Sequence, residues 1–173
     1  MIRSVEDIEE LPNSGADMTL DSTDRAILQA LLEDSRASQR ELSRIVGVAQ
    51  GTITNRLKKL ESQNIIQGYS VVLDPESVGW SMTIMAGLRI AKGKMINVQQ
   101  KIAADPRVFS VYDVTGDWDS MVLARVRDRA DLDDLTKTVF TLEGVTRSFT
   151  HVVLNTVKED GFAKPAPDKN NEE

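Results

Sequence analysis

Residues 50 to 61 read Gln-Gly-Thr-Ile-Thr-Asn-Arg-Leu-Lys-Lys-Leu-Glu, a run in which amides, hydroxyls and cations recur between evenly spaced aliphatics. With Ile53 set inward and each residue advanced by about 100°, the opposite side of such a helix presents Gly51, Asn55, Lys58 and Lys59, flanked by Thr52 and Thr54. That face holds no carboxylate, and Glu61 falls toward the inner flank. The chemistry it suits is the reading of double-stranded DNA. Asparagine can bond an adenine edge, threonine can bond a base or touch a thymine methyl, and small residues let the helix approach the groove floor. Lys58 and Lys59 would hold phosphates and supply affinity rather than specificity. Gln50, which opens the helix, joins the set. Arg56 sits nearer the core side, where it suits a phosphate contact or a salt bridge across the domain. A merely solvated helix face would use the same residue types, so the reading depends on what stands in front of this helix.

Three elements must position that face. Asp21-Ser22-Thr23-Asp24 opens a first helix with Ile27, Leu28, Leu31 and Leu32 expected as one buried stripe. Ser38-Gln39-Arg40-Glu41 matches a capping box, and Leu42, Ile45 and Val46 are expected to form the core face of the second helix. Gly47 ends it in a tight turn, and the third helix runs from about Gln50 to Asn64 with Ile53, Leu57 and Leu60 inward. Short helices at this spacing make a helix-turn-helix. Beyond Gly68 the period becomes that of strands: Tyr69 to Leu73, a turn at Asp74-Pro75, a strand from Met82 to Ile90, a helix from Met95 to Ala104 stopped by Pro106 and a strand from Val108 to Thr115. A strand from Ser120 to Arg127, a helix from Ala130 to Leu142 and a strand from Thr146 to Val157 follow. The order βαββαβ predicts an α+β fold, a winged helix-turn-helix domain joined by a strand linker to a ferredoxin-like domain with both helices on one face of an antiparallel sheet. Phe109 and Phe149 are expected in its core. The divisions are a flexible acidic arm over 1–17, a DNA-binding domain over 18–65, a linker over 66–79, a sensing and oligomerising domain over 80–158 and a flexible tail over 159–173. Met1 and Met18 are both candidate starts.

Composition removes several chemistries. The 173 residues include no cysteine and a single histidine, which excludes disulfides, thiolate metal sites and a histidine-rich zinc site. No pairing of nucleophile with base is visible, and no cofactor is expected. Residues 1–17 carry five carboxylates and no apolar core, unlike a signal peptide, and the longest apolar stretches are too short to cross a bilayer. A cytoplasmic protein without membrane contact is expected. The net charge of −6 would oppose DNA binding if it were uniform, but 1–17 holds −4 and 158–173 holds −2, whereas 18–64 holds +1 with its cations clustered. Each domain is small enough that oligomerisation is a natural source of further apolar burial.

From Leu20 to Lys158 the sequence resembles the Lrp/AsnC family of feast/famine regulators. The resemblance rests on Asp21, Asp24, Ile27 and Leu28, on Leu42 to Val48, on Thr52 to Glu61, on Gly68-Tyr69 through Asp74-Pro75, and most sharply on Val114-Thr115-Gly116-Asp117-Trp118-Asp119. The last looks like the family's Gly-Asp-aromatic-Asp turn, with tryptophan where tyrosine or phenylalanine is more usual. The resemblance implies a homodimer paired through its sheets, assembly to a tetramer or octamer, and a small effector, often an amino acid, beside that turn. The site it implies comprises Thr115, Gly116, Asp117, Trp118 and Asp119, closed by Thr150, His151 and Val152. Glycine allows close backbone approach there and a carboxylate can pair with an ammonium group, although an ordinary Gly-Asp hairpin uses the same residues. An alternative is an enzyme on the same two-domain plan, like the sirohaem decarboxylases, which would need a surface rich in histidine and arginine.

Overall fold

A computed structural model of the chain describes residues 20–159, as two compact units that divide between Ser70 and Val71. The arm expected over 1–17, Met18 and all of the tail but Glu159 lie outside the described residues.

In the first unit, α1 (Ser22–Glu33) starts where the Asp21 carboxylate accepts from the Asp24 amide at 2.8 Å and the Asp24 carboxylate answers to the Asp21 amide at 3.4 Å. The same reciprocal box starts α2 (Gln39–Val46): Ser38 Oγ accepts from the Glu41 amide at 3.2 Å, and Glu41 accepts from the Ser38 amide at 2.8 Å. Gly47, at φ 77°, turns the chain left-handed and allows α3 (Gln50–Ser62) to begin three residues later. Ile27, Ala30, Leu42, Ile53, Leu57 and Leu60 form the buried core, with Leu28, Leu31, Val46, Ile65 and Ile66 packed around it. Leu32 and Ile45 are not part of it, being 44% and 60% exposed. Ala30, small enough to bring α1 close, shifts the buried stripe away from Leu32. On the eight-residue α2, Leu42 and Val46 span the contact and Ile45 points past it.

The strand expected over Tyr69 to Leu73 is absent. Tyr69, Val71, Val72 and Leu73 are exposed and join no ladder among the described residues, because a period of two supplies no partner for backbone donors and acceptors. The Asp74-Pro75 turn does form: the Asp74 carboxylate accepts from the Ser77 amide at 2.9 Å, ahead of a 3-10 turn at Glu76–Val78.

The second unit follows in the order β1 (Met82–Ile90), α4 (Met95–Ala103), β2 (Val108–Asp113), β3 (Ser120–Val126), α5 (Arg129–Thr138) and β4 (Val145–Val152). The strands form one antiparallel sheet ordered β2-β3-β1-β4, the ferredoxin-like arrangement. On one face Ile84, Ala86, Leu88, Val122, Ala124 and Val126 pack against Val98 and Ile102 of α4 and Leu135 of α5. β4 ends at Val152 rather than Val157: the Val153 amide still donates to the Thr83 carbonyl at 2.9 Å, but Leu154 and Val157 beyond it are exposed. α5 likewise stops at Thr138, short of Leu142. The other sheet face has no helix on it among the described residues, and Phe109 and Phe149, expected in the core, lie there 41% and 48% exposed. The Arg125 guanidinium lies over Phe109, 4.6 Å from its ring centre.

Candidate DNA interface and effector turn

On α3 the side chains of Gln50, Thr52, Asn55, Lys58 and Lys59 are exposed, as is Gly51, while Ile53, Leu57 and Leu60 are buried beneath them. The packing that hides the aliphatics is therefore what fixes the polar face outward. Thr54 is half-buried and its hydroxyl lies 2.6 Å from Gln39 Oε1 and 3.1 Å from the Gln50 carbonyl. Gln39, the first residue of α2, carries no signal in the sequence for this contact; its link to Thr54 spans fifteen positions and is visible only in the fold.

Arg56 is placed differently from Lys58. Its guanidinium bonds the Asp21 carboxylate and reaches Asp24 at 3.1 Å, and Asp24 is only 1% exposed. The bonds to Asp21 and then Asp24 hold the arginine above its ordinary range, and the Asp21 carboxyl is held below its own, first by the Asp24 amide and also by Arg56. This is the salt bridge across the domain that the position also suits, and it ties α3 to the N-terminal cap of α1. Lys59 lies 3.9 Å from Asp24. No carboxylate among the described residues pairs with Lys58.

The turn between β2 and β3 places Thr115, Gly116 and Asp117 in the open, with Gly116 at φ 110° where a side chain would be strained. Asp119 pins the turn to β1, because its carboxylate accepts from the Ile90 amide at 2.8 Å and its own amide donates to the Leu88 carbonyl at 2.9 Å. Asp117 is 98% exposed and 3.9 Å from Arg89. Trp118 lies flat on Gly87, so close that a Cβ there would come within 2.6 Å of the indole. Arg147 sits 5.6 Å from the centre of that ring, Phe149 6.2 Å from it, and His151 4.7 Å from Phe149. The rings thus form a row along the open sheet face, and His151 belongs to it. Thr150 and Val152 face the other way, since their partners are Ala86 and Ile84 of the buried face.

A separate polar cluster lies where α5 begins. Arg107 bonds Asp105 at 2.7 Å, Asp131 at 3.0 Å and Asp134 at 2.8 Å, and Arg127 bonds Asp131 at 3.1 Å. Burial works to raise the Asp131 carboxyl, but the bonds from Arg127 and Arg107 outweigh it and push it down to about 2. A hollow of about 620 Å³ opens beside these groups, lined also by Trp80 and Pro106.

Residues 20–67 match the winged helix-turn-helix DNA-binding family and residues 83–161 match the Lrp/AsnC ligand binding domain. The HTH-type transcriptional regulator PH1692 of Pyrococcus horikoshii is 45% identical over 148 residues, which cover 86% of this chain and all of the relative. The regulator FL11 of the same organism is 34% identical, over 81% of this chain and 93% of its own. Both are transcriptional regulators rather than enzymes. Among solved structures, the L-methionine complex of the regulator NMB0573 from Neisseria meningitidis superposes with a TM-score of 0.77 at 30% identity, over 83% of this chain and 95% of that one. The feast or famine regulatory protein of M. tuberculosis bound to L-methionine gives 0.78 at 28% identity, over 85% and 100%.

Proposed function

The chain belongs to the Lrp/AsnC family of DNA-binding transcriptional regulators, and from that premise we propose that α3 reads an operator sequence in the major groove under control of a small effector held at the Thr115–Asp119 turn. The observation that carries the first half is the outward face of α3, where Asn55 and Thr52 are available to bases and Lys58 to phosphate while the aliphatics beneath them fix their direction. Selection of bound DNA from a random pool tests it. A palindromic motif whose preference at one base is relaxed by Asn55→Ala is the expected result; binding without sequence preference would remove the claim.

The effector is an amino acid on this reading. Two structural neighbours are complexes with L-methionine, and the turn here combines a glycine with a fully solvated carboxylate, Asp117, 3.9 Å from Arg89. The chain acts as a homodimer, and as the tetramers or octamers built from it, with the open sheet face as contact. Met85, Phe109, Tyr112 and Phe149 are all exposed on that face, an apolar area that is unusual on a chain that stays single. Among the described residues no helix is long and apolar enough to cross a membrane, and a cytoplasmic location fits a protein that meets DNA. The proposed division keeps 18–65 as the DNA-binding half, 80–158 as the sensing half and 66–79 as their connection, a reading supported by the break between units at Ser70 and Val71.

A further inference from the structure

We propose that the N-terminal arm, residues 1–17, docks on the α2–α3 face of the helix-turn-helix unit and must be displaced before DNA can bind; this uses α3 as the DNA-contacting helix and is independent of the effector reading. Between Gln39 and Ser62 the chain carries five cations, Arg40, Arg44, Arg56, Lys58 and Lys59, against two carboxylates, Glu41 and Glu61. Both carboxylates are taken up. Glu41 accepts from the Ser38 amide and hydroxyl, each at 2.8 Å, and Glu61 accepts from the Tyr69 hydroxyl at 3.2 Å. Arg56 is engaged by Asp21 and Asp24, and Lys59 reaches Asp24 at 3.9 Å. Arg40, Arg44 and Lys58 are exposed and form no ion pair among the described residues; Arg44 feels Glu41 only through space. Arg40 and Arg44 lie one turn apart on the side of α2 opposite the buried Leu42. Gln39, at the start of α2, and Lys58 both line a hollow of about 370 Å³ that reaches down to Leu31, Leu42 and Leu57. Unanswered cations therefore border an apolar depression.

The arm supplies what that face lacks. It holds Glu6, Asp7, Glu9, Glu10 and Asp17 against Arg3 alone, with Val5, Ile8 and Leu11 recurring at every third position among the carboxylates. It also joins the unit in the right place, because Leu20 packs on the helical core and the next residue, Asp21, is bound to Arg56 of α3. Extended at about 3.3 Å per residue, the arm reaches roughly 55 Å, whereas α3 is only about 20 Å long. The helix-turn-helix match begins at residue 20, so the arm is additional to the DNA-binding unit. Exposed ion pairs are each worth little, but a short tether holds the arm at an effective concentration in the millimolar range. Such an arm covers the cations at low salt and yields them to a duplex, whose phosphates need the same groups.

Two measurements on the full-length protein test this. In the first, Glu6→Gln, Asp7→Asn, Glu9→Gln, Glu10→Gln and Asp17→Asn are combined, and a duplex of random sequence is titrated with this variant and with the wild type over a range of salt. An arm seated about nine-tenths of the time lowers apparent affinity about tenfold, so the variant is expected to bind about tenfold more tightly at low salt, with the gap closing as salt rises. Removing acid anywhere on the chain also eases the approach of DNA, so the second measurement locates the arm without DNA. The chain has no cysteine, and a spin label on Ser4→Cys is therefore its sole thiol adduct. The label should broaden the amide signals of Arg40, Arg44 and Lys58 at low salt, and the broadening should vanish at about 1 M salt, where screening acts within about 3 Å, and in the neutralised arm. No broadening there, or broadening confined to the sheet unit, would overturn the proposal whatever the DNA titrations give. Broadening with equal DNA affinity of the two proteins would overturn the competition while leaving DNA reading by α3 intact. Broadening in a protein that binds no duplex in either form would overturn the competition and the DNA reading together.

Discussion

Arg56 and Lys58 are both cations of α3, two residues apart, yet they are held in opposite ways, and the difference is measurable. Lys58 has no carboxylate partner among the described residues, whereas Arg56 is bound to Asp21 and to the buried Asp24. Lys58→Ala is expected to weaken binding to every DNA sequence alike and to lower the salt slope by roughly one unit. Arg56→Ala should leave that slope nearly unchanged and lower the melting temperature, because the buried Asp24 is left with the long bond from the Asp21 amide and a distant Lys59. Salt-dependent operator titrations and thermal melts of the two variants separate the roles; a slope change in both would return Arg56 to the phosphate contacts. The carboxylates of the turn divide in the same manner. Asp119→Ala strands the Ile90 amide and should cost about 1–3 kcal/mol of stability. Asp117→Ala, at a fully solvated position, should leave the melt unchanged and lower effector affinity about tenfold. Calorimetry on both variants checks this, and unchanged effector binding by Asp117→Ala would place the ammonium partner elsewhere.

At the level of elements, the start of α5 gives the sheet unit a dependence on acid. Asp131 is held at about 2, below the ordinary 3.8, so its contribution is fully present above about pH 4 and is lost as the pH falls through about 2. That shift corresponds to roughly 2 kcal/mol. The denaturant midpoint of the wild type is expected to fall across that window, and Asp131→Asn should be less stable at neutral pH with a shallower fall below pH 4. Equal pH profiles would show the ion cluster to be inert. The elements also show what a sequence can disclose. The helix start at Asp21, the capping box at Ser38, the Gly47 stop and the βαββαβ order are all legible, since each is written within a few residues of where it acts. Leu32, Ile45, Phe109 and Phe149 are misplaced by periodicity because their burial depends on what the opposing element brings: a small Ala30 in one case, a bare sheet face in another. Tyr69 to Leu73 has the composition of a strand and lacks a neighbour. In the candidate site, the parity of β4 already separates His151 from Thr150 and Val152, so that division is readable; the Gln39–Thr54 contact, being tertiary, is not.

For the molecule as a whole, the proposed pairing of chains through the bare sheet face can be tested at its centre. Met85 lies near the middle of that face, paired with Leu123 on one side and His151 on the other. Met85→Glu places a charge where apolar surface is to be covered and is expected to raise the dimer dissociation constant at least about a hundredfold, with a folded monomer by light scattering. Operator binding should fall with it, since two recognition helices about one turn of DNA apart, ~34 Å, are needed to read a palindrome. A wild type that scatters as a monomer at micromolar concentration would contradict this. The ion cluster around Arg107 bears on the same molecule when it is warmed. Charged groups hydrate less favourably as temperature rises, so the penalty for holding Arg107 and Asp131 out of water shrinks on heating while the gain from apolar burial levels off. The helix-turn-helix unit has the partly exposed Arg56 bridge to set beside that network. In the proposed dimer, heat should therefore loosen the DNA-reading half first and leave the sheet halves associated, so that a regulator released from its operator by a warm spell would rebind on cooling without having to find its partner again.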